Sequence, residues 1–511
     1  MTQENQCAIY QDVASTYAGA APFHPSVLYP EYELGPGCVA SEANSAYEAV
    51  RNLFMLLELD AANAGTASWN PLKDIIRPGD LVAIKPNFVL HFNAAGHDLH
   101  SVVTHGSLIR PVIDYVLKAL NGTGRVIVAD APHGNADFEA ITRFTGIDKV
   151  VEFYRSRGAN VVLSDLRKYR YAPGKEGFLK DVKTPLKGDP EGYTAVDLGA
   201  HSEFRDLDAL ERLYGADFDR SIIRQHHNEH RHEYLIANSI LKADVVISMP
   251  KLKVHSKAGV TINLKNLVGI NGDKNWLPHY RVGHPGERGD EFPRSSVRLE
   301  NALRRFDRLV LDKLLAVDGR ARKLAYRTIS LPQRALMRCL TKVSGNPIYR
   351  GSWRGNDTIW RTVLDLNRIL LFADKDGHLQ NTQQRRFISI VDGLIGGEGD
   401  GPLSPTPKHS GVVLGGFNPL LVDFLGARLI GFDPERILLF KNAYRTRPQL
   451  STHTLEAIRI RSNVPAYENL NRFAEPHLAY SQPIGWTKYR DIPRSGLSTD
   501  ATELAMEKKG C

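Results

Sequence analysis

The residues best suited to do chemistry lie in one stretch, Ala243 to Ile270, ADVVISMPKLKVHSKAGVTINLKNLVGI. Its apolar, β-branched run at 245–249 stops at Pro250, which predicts a buried strand that ends in a forced turn. Basic and amide side chains follow: Lys251, Lys253, His255, Ser256, Lys257, Lys265 and Asn266. Because ligands of open α/β sheets bind where strands end and helices begin, this pattern predicts an anion site. The alternative is a solvated basic loop, which would not need the interleaved apolar residues.

Other strand ends carry related side chains. Residues 80–84 form a predicted strand, and Lys85 and Asn87 follow it, where a cation and an amide could close a ligand crevice. The alternative is a capped turn before a loop. In the central stretch, Thr261 or Asn263 is expected to cap the short helix that carries Lys265 and Asn266.

Histidines cluster in two segments. The loop from His91 to His105 holds four of them with Asp98, at a spacing that leaves a metal site open as an alternative. His105 precedes a predicted helix at 106–120, with Thr104 as a candidate N-cap, so its proton affinity should be lowered and it could act as a base. The second segment, HHNEHRHE at His226 to Glu233, lacks the H-E-x-x-H spacing of zinc proteases and favours a surface helix.

An acidic, glycine-rich loop lies late in the chain, GGEGDGP at Gly396 to Pro402. Asp392, Glu398 and Asp400 could bind a divalent metal that holds phosphates, or could take a proton from a substrate. The alternative is that these carboxylates only cap turns. Asp423, on a predicted helix, is better explained as an anchor for nearby backbone amides.

The elements that position these residues alternate between strand and helix, which predicts an α/β protein with mainly parallel sheets in two lobes and a basic helical insertion. We expect an N-terminal arm and helix at 1–75, a first lobe at 76–295, the insertion at 296–350, a second lobe at 351–445 and a tail at 446–511. The insertion has leucines at helical spacing and many arginines, so it could bind a polyanion or membrane, or could simply be a solvated helix.

Composition narrows the class of protein. The chain has 511 residues, a net charge of +8 and a pI of about 9.1, which suits anionic partners such as nucleotides, an acidic carrier or RNA. No apolar run approaches the roughly 18 residues of a membrane span, and the start lacks a signal-peptide pattern, so we expect a cytoplasmic protein without a transmembrane segment. The four cysteines are far apart, which argues against a disulfide framework.

Several motifs together resemble the DUF362 family, a domain of unknown function. They are KPN (Lys85–Asn87), D-x-P (Asp130–Pro132), MPKLKVH…TINLKNLVG (Met249–Gly269), W-x-G-N-D-T (Trp353–Thr358), VDG…EGDGP (Val391–Pro402) and G-x-x-P-x-x-x-D (Gly416–Asp423). Many members of that family carry a ferredoxin-like domain with cysteine repeats. This sequence has no such repeats, so we expect no Fe–S cluster from this chain.

The family is also distantly similar to nickel-pincer-nucleotide lactate racemases, two-lobed proteins with the site between the lobes. That resemblance implies a divalent metal and a nucleotide-like cofactor held by Lys251, Lys253 or Lys265. It also implies that His255 and His105 act as metal ligand or acid and base. By this analogy the reaction is proton or hydride transfer on a small carboxylate.

Two hypotheses follow. In the first, the protein is an enzyme that binds a nucleotide-like, phosphorylated or carboxylate ligand between two lobes. Its residues would be His255, His105 and Asp392 for catalysis; Lys85, Asn87, Lys251, Lys253, Lys265 and Asn266 for the cofactor; and Glu398, Asp400 and His255 for a metal. In the second, it is a non-catalytic binding or assembly protein whose basic insertion engages RNA, an anionic membrane or an acidic carrier. The oligomeric state stays open under both hypotheses.

Overall fold

The computed structural model describes residues 4–173, 180–215, 220–293, 298–315, 350–470 and 478–489, together with 328, 329, 332, 336, 339 and 340. Within these ranges the strands are β1 (Gln6–Gln11), β2 (Leu81–Pro86), β3 (Arg125–Asp130), β4 (Val161–Asp165), β5 (Tyr169–Pro173), β6 (Lys180–Pro185), β7 (Tyr193–Asp197), β8 (Leu213–Gly215), β9 (His227–Asn228), β10 (Arg231–Ala237), β11 (Val245–Met249), β12 (Lys251–His255), β13 (Gly259–Thr261), β14 (Pro278–Arg281), β15 (Arg386–Glu398), β16 (Thr406–Gly416) and β17 (Arg459–Ser462). The α-helices are α1 (Ser45–Leu56), α2 (Gly106–Leu120), α3 (Phe138–Thr145), α4 (Ile147–Arg155), α5 (Arg220–His226), α6 (Asn238–Leu241), α7 (Asn263–Asn266), α8 (Arg298–Leu315), α9 (Ile359–Phe372), α10 (Pro419–Leu429) and α11 (Leu438–Ala443).

A ten-stranded sheet organises the described chain, with the order β17-β1-β16-β15-β11-β2-β3-β4 and with β12 and β13 attached beside β15. The run β15-β11-β2-β3-β4 is parallel throughout, and β12 also pairs in parallel with β15. Antiparallel pairs occur where β16 joins β15 and β1, and where β13 joins β12. The predicted fold class, α/β with a mainly parallel sheet, is confirmed.

Strand β11 joins the strands that the sequence divides between two lobes. Val245 pairs with Val82 of β2 on one side and with Arg386 of β15 on the other. All five residues of β11 are buried, as a continuous apolar run in the middle of a parallel sheet should be. The predicted division near residue 351 is therefore not a division between two sheets.

The two faces of the sheet are covered by different helices. Val245 and Ile247 belong to the same core as Val112 of α2, whereas Val246 belongs to the core that contains Val363 of α9. Successive side chains of a strand point to opposite faces, so β11 contributes to both cores. The loops at the carboxyl ends of the parallel strands are left free to form a site.

The predicted surface helix at His226 to Glu233 is wrong. Helix α5 ends at His226, and the chain then forms the hairpin of β9 and β10. In β10 the side chains of His232, Tyr234 and Ile236 are buried. Leu235 and Ala237 are buried as well, so both faces of the second half of β10 are covered, and the ring of His227 is buried against Phe204 and Tyr234.

The two ends of the described chain meet in the sheet. Strand β1, inside the predicted N-terminal arm, lies between β16 and β17, and β17 comes from the predicted tail. Helix α8 begins the predicted basic insertion, most of which lies outside the described residues. No helix in the described part of the chain combines the length and apolar character that a membrane span requires.

Candidate functional site

A cavity of about 580 Å³ opens at the carboxyl ends of β2, β3 and β12, where ligands of parallel sheets bind. Its basic lining residues are Lys253, Lys257, Lys265, Lys274 and Arg350. Its acidic lining residues are Asp130 and Asp400. Tyr214 and Tyr280, whose rings stack at 5.3 Å, contribute an aromatic wall. The excess of positive charge in a partly enclosed space favours an anionic occupant.

Lys265 reaches the cavity from α7, whose N-terminus is held by Asp423 of α10. Asp423 Oδ1 accepts a hydrogen bond from the backbone N–H of Asn263 at 2.8 Å, and Oδ2 accepts one from Leu264 at 2.8 Å. The prediction that Asp423 anchors backbone amides is confirmed. The predicted cap by Thr261 or Asn263 is wrong, because no side chain of α7 itself caps the helix and a distant carboxylate takes that place.

The amine of Lys265 has no hydrogen bond or ion pair among the residues that the structure describes, although it lies among other cations. Burial, together with repulsion from Lys257 and Lys85, lowers the pKa of Lys265 to about 7. A half-buried cation without a protein partner is costly. An anion bound beside Lys265 would neutralise this charge and remove that cost.

Two further lysines in the cavity are held by backbone carbonyl groups rather than by carboxylates. Lys253 Nζ donates to the carbonyl of Val102 at 2.6 Å, and Lys274 Nζ donates to those of Val268 and Asn271 at 3.1 and 3.2 Å. Burial lowers the pKa of Lys253 well below its usual value and that of Lys274 to about 7. Burial thus disfavours the charge on both amines, and no carboxylate of the described residues pairs with either.

Lys85 and the two predicted amides form a network at the back of the cavity. Lys85 Nζ lies 2.7 Å from Asp130 Oδ1 and donates to Asn266 Oδ1 at 3.1 Å. Asn87 Nδ2 donates to the same oxygen at 3.3 Å, while Asn87 Oδ1 is buried without a partner among the described residues. Asn87 and Asn266 line the cavity; Lys85 supports them from behind, with its charge balanced by Asp130.

Gly269 makes room for the Lys85–Asp130 pair. A Cβ atom at this position would lie 2.0 Å from Asp130 Oδ1 and 2.6 Å from Lys85 Nζ. Atoms never approach so closely without displacement, so any larger residue would have to move the ion pair. The glycine that closes the motif is thus explained by this close approach.

Two histidines in the cavity are held in opposite tautomers. His255 Nδ1 accepts hydrogen bonds from the backbone N–H groups of Lys257 and Ala258, so the neutral ring carries its proton on Nε2. His279 Nδ1 donates to the carbonyl of Leu277 at 2.8 Å, which leaves the lone pair on Nε2. Burial lowers the pKa of both rings well below the ordinary value, so both are neutral near pH 7.

The other predicted catalytic residues lie in a separate buried cluster outside the cavity lining. Lys251 Nζ lies 2.6 Å from Asp392 Oδ2 and donates to the hydroxyl of Tyr17 at 2.6 Å. Asp392 also accepts the backbone N–H of His105. Burial lowers the pKa of His105 well below its usual value. The predicted N-cap of α2 by Thr104 is wrong, because the side chain of His105 caps the helix by accepting the backbone N–H of Ser107. Lys251, His105 and Asp392 therefore form one hydrogen-bonded cluster and do not line the cavity.

The predicted metal ligands do not come together. Glu398 Oε2 pairs with Lys408 at 3.2 Å and accepts the backbone N–H of Ser481, whereas Asp400 lies at the exposed rim and His255 lies inside the cavity. In the described ranges, no three His, Cys, Asp or Glu side chains are placed to share a metal ion. The two carboxylates of the glycine-rich loop, those of Glu398 and Asp400, thus do not point to one common site. The His91 to His105 loop also lies outside the cavity lining.

Several residues that line the cavity were not predicted from the sequence. They are His133, Tyr214, Lys274, His279, Tyr280 and Arg350. The signal for two of them was present, because Lys274 and His279 follow the central stretch within the polar run NGDKNWLPHY. Tyr214 comes from the short strand β8, and only its antiparallel pairing with Tyr280 of β14 brings it to the cavity.

Comparison with known proteins places the chain in a family. A family model described as a domain of unknown function, DUF362, matches residues 82–187 and 175–428. A solved protein from Thermotoga maritima shares 10% identity at a TM-score of 0.29, over 73% of this chain and 55% of that one, so the chain spans about half of that protein's length. No curated protein matches this sequence. On the extent of the family match, the chain is a member of the DUF362 family.

Proposed function

We propose that this protein is an enzyme that binds a small phosphorylated or carboxylate ligand in the basic cavity and moves a proton on it. The observation that carries the proposal is Lys265, a cation without a partner among the described residues in a cavity already rich in positive charge. Lys253 and Lys274 add positive charge held only by carbonyl groups. An anion would stabilise all three at once.

Proton transfer is supported by the two cavity histidines. His255 presents an N–H on Nε2 and His279 a lone pair on Nε2, because the backbone fixes the opposite nitrogen of each ring. A neutral acid and a neutral base that line one cavity suit removal of a proton next to a carboxylate or carbonyl group and its return. Neither ring needs a carboxylate partner to keep its tautomer.

Anion binding is tested by titrating the purified protein with inorganic phosphate, pyrophosphate and pyruvate by calorimetry. Lys265→Gln should weaken binding by about tenfold or more, since a hydrogen bond to a charged group contributes roughly 1.5–3 kcal/mol. The exposed Lys149→Gln removes the same charge from the surface and should leave affinity unchanged. Absence of binding, or an equal loss in both variants, would overturn the proposal.

Proton transfer is tested separately, by the exchange of the methyl protons of pyruvate in D₂O. Wild-type protein should accelerate the exchange, and His279→Gln should slow it while phosphate still binds. If His279→Gln exchanges at the wild-type rate, the cavity binds anions without this chemistry.

A second proposal concerns α8, on which Leu299 and Phe306 are 52% and 48% exposed. Exposed apolar side chains on a helix rich in arginine favour an anionic membrane surface as partner. The variant Leu299→Ser/Phe306→Ser should lose binding to vesicles that contain phosphatidylserine, and the cavity should still bind phosphate. If wild-type protein binds RNA but not these vesicles, the membrane proposal is wrong.

A further inference from the structure

The lysines around the cavity differ in what their amines contact. Lys85 Nζ is paired with Asp130, Lys253 and Lys274 donate to carbonyl groups, and Lys257 donates to the carbonyl of Arg350. The amine of Lys265, by contrast, makes no hydrogen bond or ion pair with any residue that the structure describes. It is thus the cavity lysine that can approach a ligand without breaking a contact.

The backbone that carries Lys265 is held firmly. Asp423 fixes the N-terminus of α7 through two backbone N–H groups, and Asn266, the next residue, is buried against Lys85 and Ser248. A reactive group is most effective when its support is rigid and its own atoms are free. Lys265 meets both conditions.

The surroundings of Lys265 also favour its neutral form. The nearby cations of Lys257 and Lys85 repel a further positive charge, and burial removes the water that would solvate it. Since burial and these neighbours bring the pKa of Lys265 to about 7, roughly half of the amine is neutral at pH 7. Desolvation beside another cationic group is a general way to make a lysine nucleophilic.

We propose that Lys265 forms an imine with the aldehyde or ketone group of an anionic ligand, which narrows the substrate class to phosphorylated or carboxylated carbonyl compounds. The inference rests on the proposed anion binding in the same cavity. Lys253 and Lys274 line the same cavity, and because a bound anion favours the protonated form of a nearby lysine, they can hold the phosphate or carboxylate. The carbonyl group and the acid group of the ligand are then contacted by different lysines.

The step is balanced without another reactant. The lone pair of Lys265 Nζ attacks the carbonyl carbon, and the carbonyl oxygen takes up a proton to give a carbinolamine. The amine nitrogen releases two protons in all: one replaces the proton that the carbonyl oxygen took up, and the other joins the hydroxyl as it leaves as water, which leaves the C=N bond. His255, which carries a proton on Nε2, lines the same cavity and can supply the proton to the oxygen.

The test is reductive trapping on the full chain with glycolaldehyde phosphate and cyanoborohydride, followed by peptide mass mapping. We expect the adduct on Lys265 to form at least about tenfold faster than on the exposed Lys149, because much of the Lys265 amine is neutral. Inorganic phosphate should compete. Uncharged glycolaldehyde, which lacks the anionic group, should show a smaller preference for Lys265, and phosphate should not compete with it.

Lys265→Arg keeps the positive charge but removes the nucleophilic amine, so it should lose the adduct and still bind phosphate. Equal labelling of Lys265 and Lys149, or an adduct at Lys253 or Lys274 instead, would overturn the imine proposal. Phosphate binding without any adduct would overturn the imine alone. If phosphate does not bind to the wild-type protein, the proposed function fails first.

Discussion

Replacing Lys251 by Met should destabilise the fold and leave anion binding intact, although this lysine opens the motif that predicts the site. The side chains of Lys251 and Asp392 are both fully buried, and Nζ lies 2.6 Å from Oδ2. Breaking a buried pair by removing one partner costs about 3–5 kcal/mol. Asp392 keeps its hydrogen bonds from the hydroxyl of Tyr17 and from the backbone of His105, so we expect the lower end, about 3 kcal/mol.

The assay is urea unfolding followed by circular dichroism. For a chain of this size the dependence on urea is steeper than the roughly 1–3 kcal/mol/M of small proteins, so the midpoint should fall by about 1 M or less. The double variant Lys251→Met/Asp392→Leu should recover much of the loss, because two apolar groups then replace the buried pair. Lys149→Met is the control for removing a surface lysine.

Two results would refute this interpretation of the Lys251 cluster. One is a loss below about 1 kcal/mol for Lys251→Met, which would mean that the pair is not buried as described. The other is weaker phosphate binding at unchanged stability, which would put Lys251 in the binding site.

Four further predictions follow from the cavity and its supports. Gly269→Ala should displace the Lys85–Asp130 pair and reduce both stability and phosphate affinity, whereas Gly37→Ala, which has open space around it, should not; calorimetry and urea unfolding measure both effects. Asp423→Ala should cost about 1–3 kcal/mol for each of the two backbone N–H groups left without an acceptor, measured by urea unfolding; an unchanged midpoint would contradict the cap. Sulfate, whose charge is constant, should bind more weakly as the pH rises through about 7, because Lys265 loses its proton there; Lys265→Met should flatten that profile. Above pH 7 the unfolded state holds more protons than the folded one at this lysine, so the free energy of unfolding should rise with pH toward the ordinary lysine pKa, and less so in Lys265→Met.

The positions of the strand ends could be predicted from the sequence, because a hydrophobic run that stops at a polar turn is formed by neighbouring residues. Asn87 and Lys253 were expected after such strand ends, and Lys265 and Asn266 on the short helix that follows; all four line the cavity. Whether they bind a cofactor stays a prediction, as do the domain boundaries.

What a lysine contacts across the sheet could not be predicted. Lys251 and Lys253 are two residues apart on β12, so a regular strand would direct both side chains to the same face. The pairing with β15 is irregular between them, because Lys251 pairs with Asp392 and Lys253 pairs with Gly397. The irregularity gives the first lysine a carboxylate partner and sends the second to a backbone carbonyl. Such a shift in register depends on the partner strand, which lies far away in the sequence. The hairpin after His226 was missed for a similar reason, since its buried side chains face distant residues.

The position of β1 has a consequence for how the chain folds during synthesis. Cys7, near the start, pairs with Gly416 on one side and with Ile460 on the other. Strand β1 is therefore synthesised long before either of its neighbours leaves the ribosome. Until then it is an apolar edge without a partner, the kind of segment that associates with other chains. Its side of the sheet should close last, and a nascent chain released before β16 should depend on chaperones to stay unaggregated.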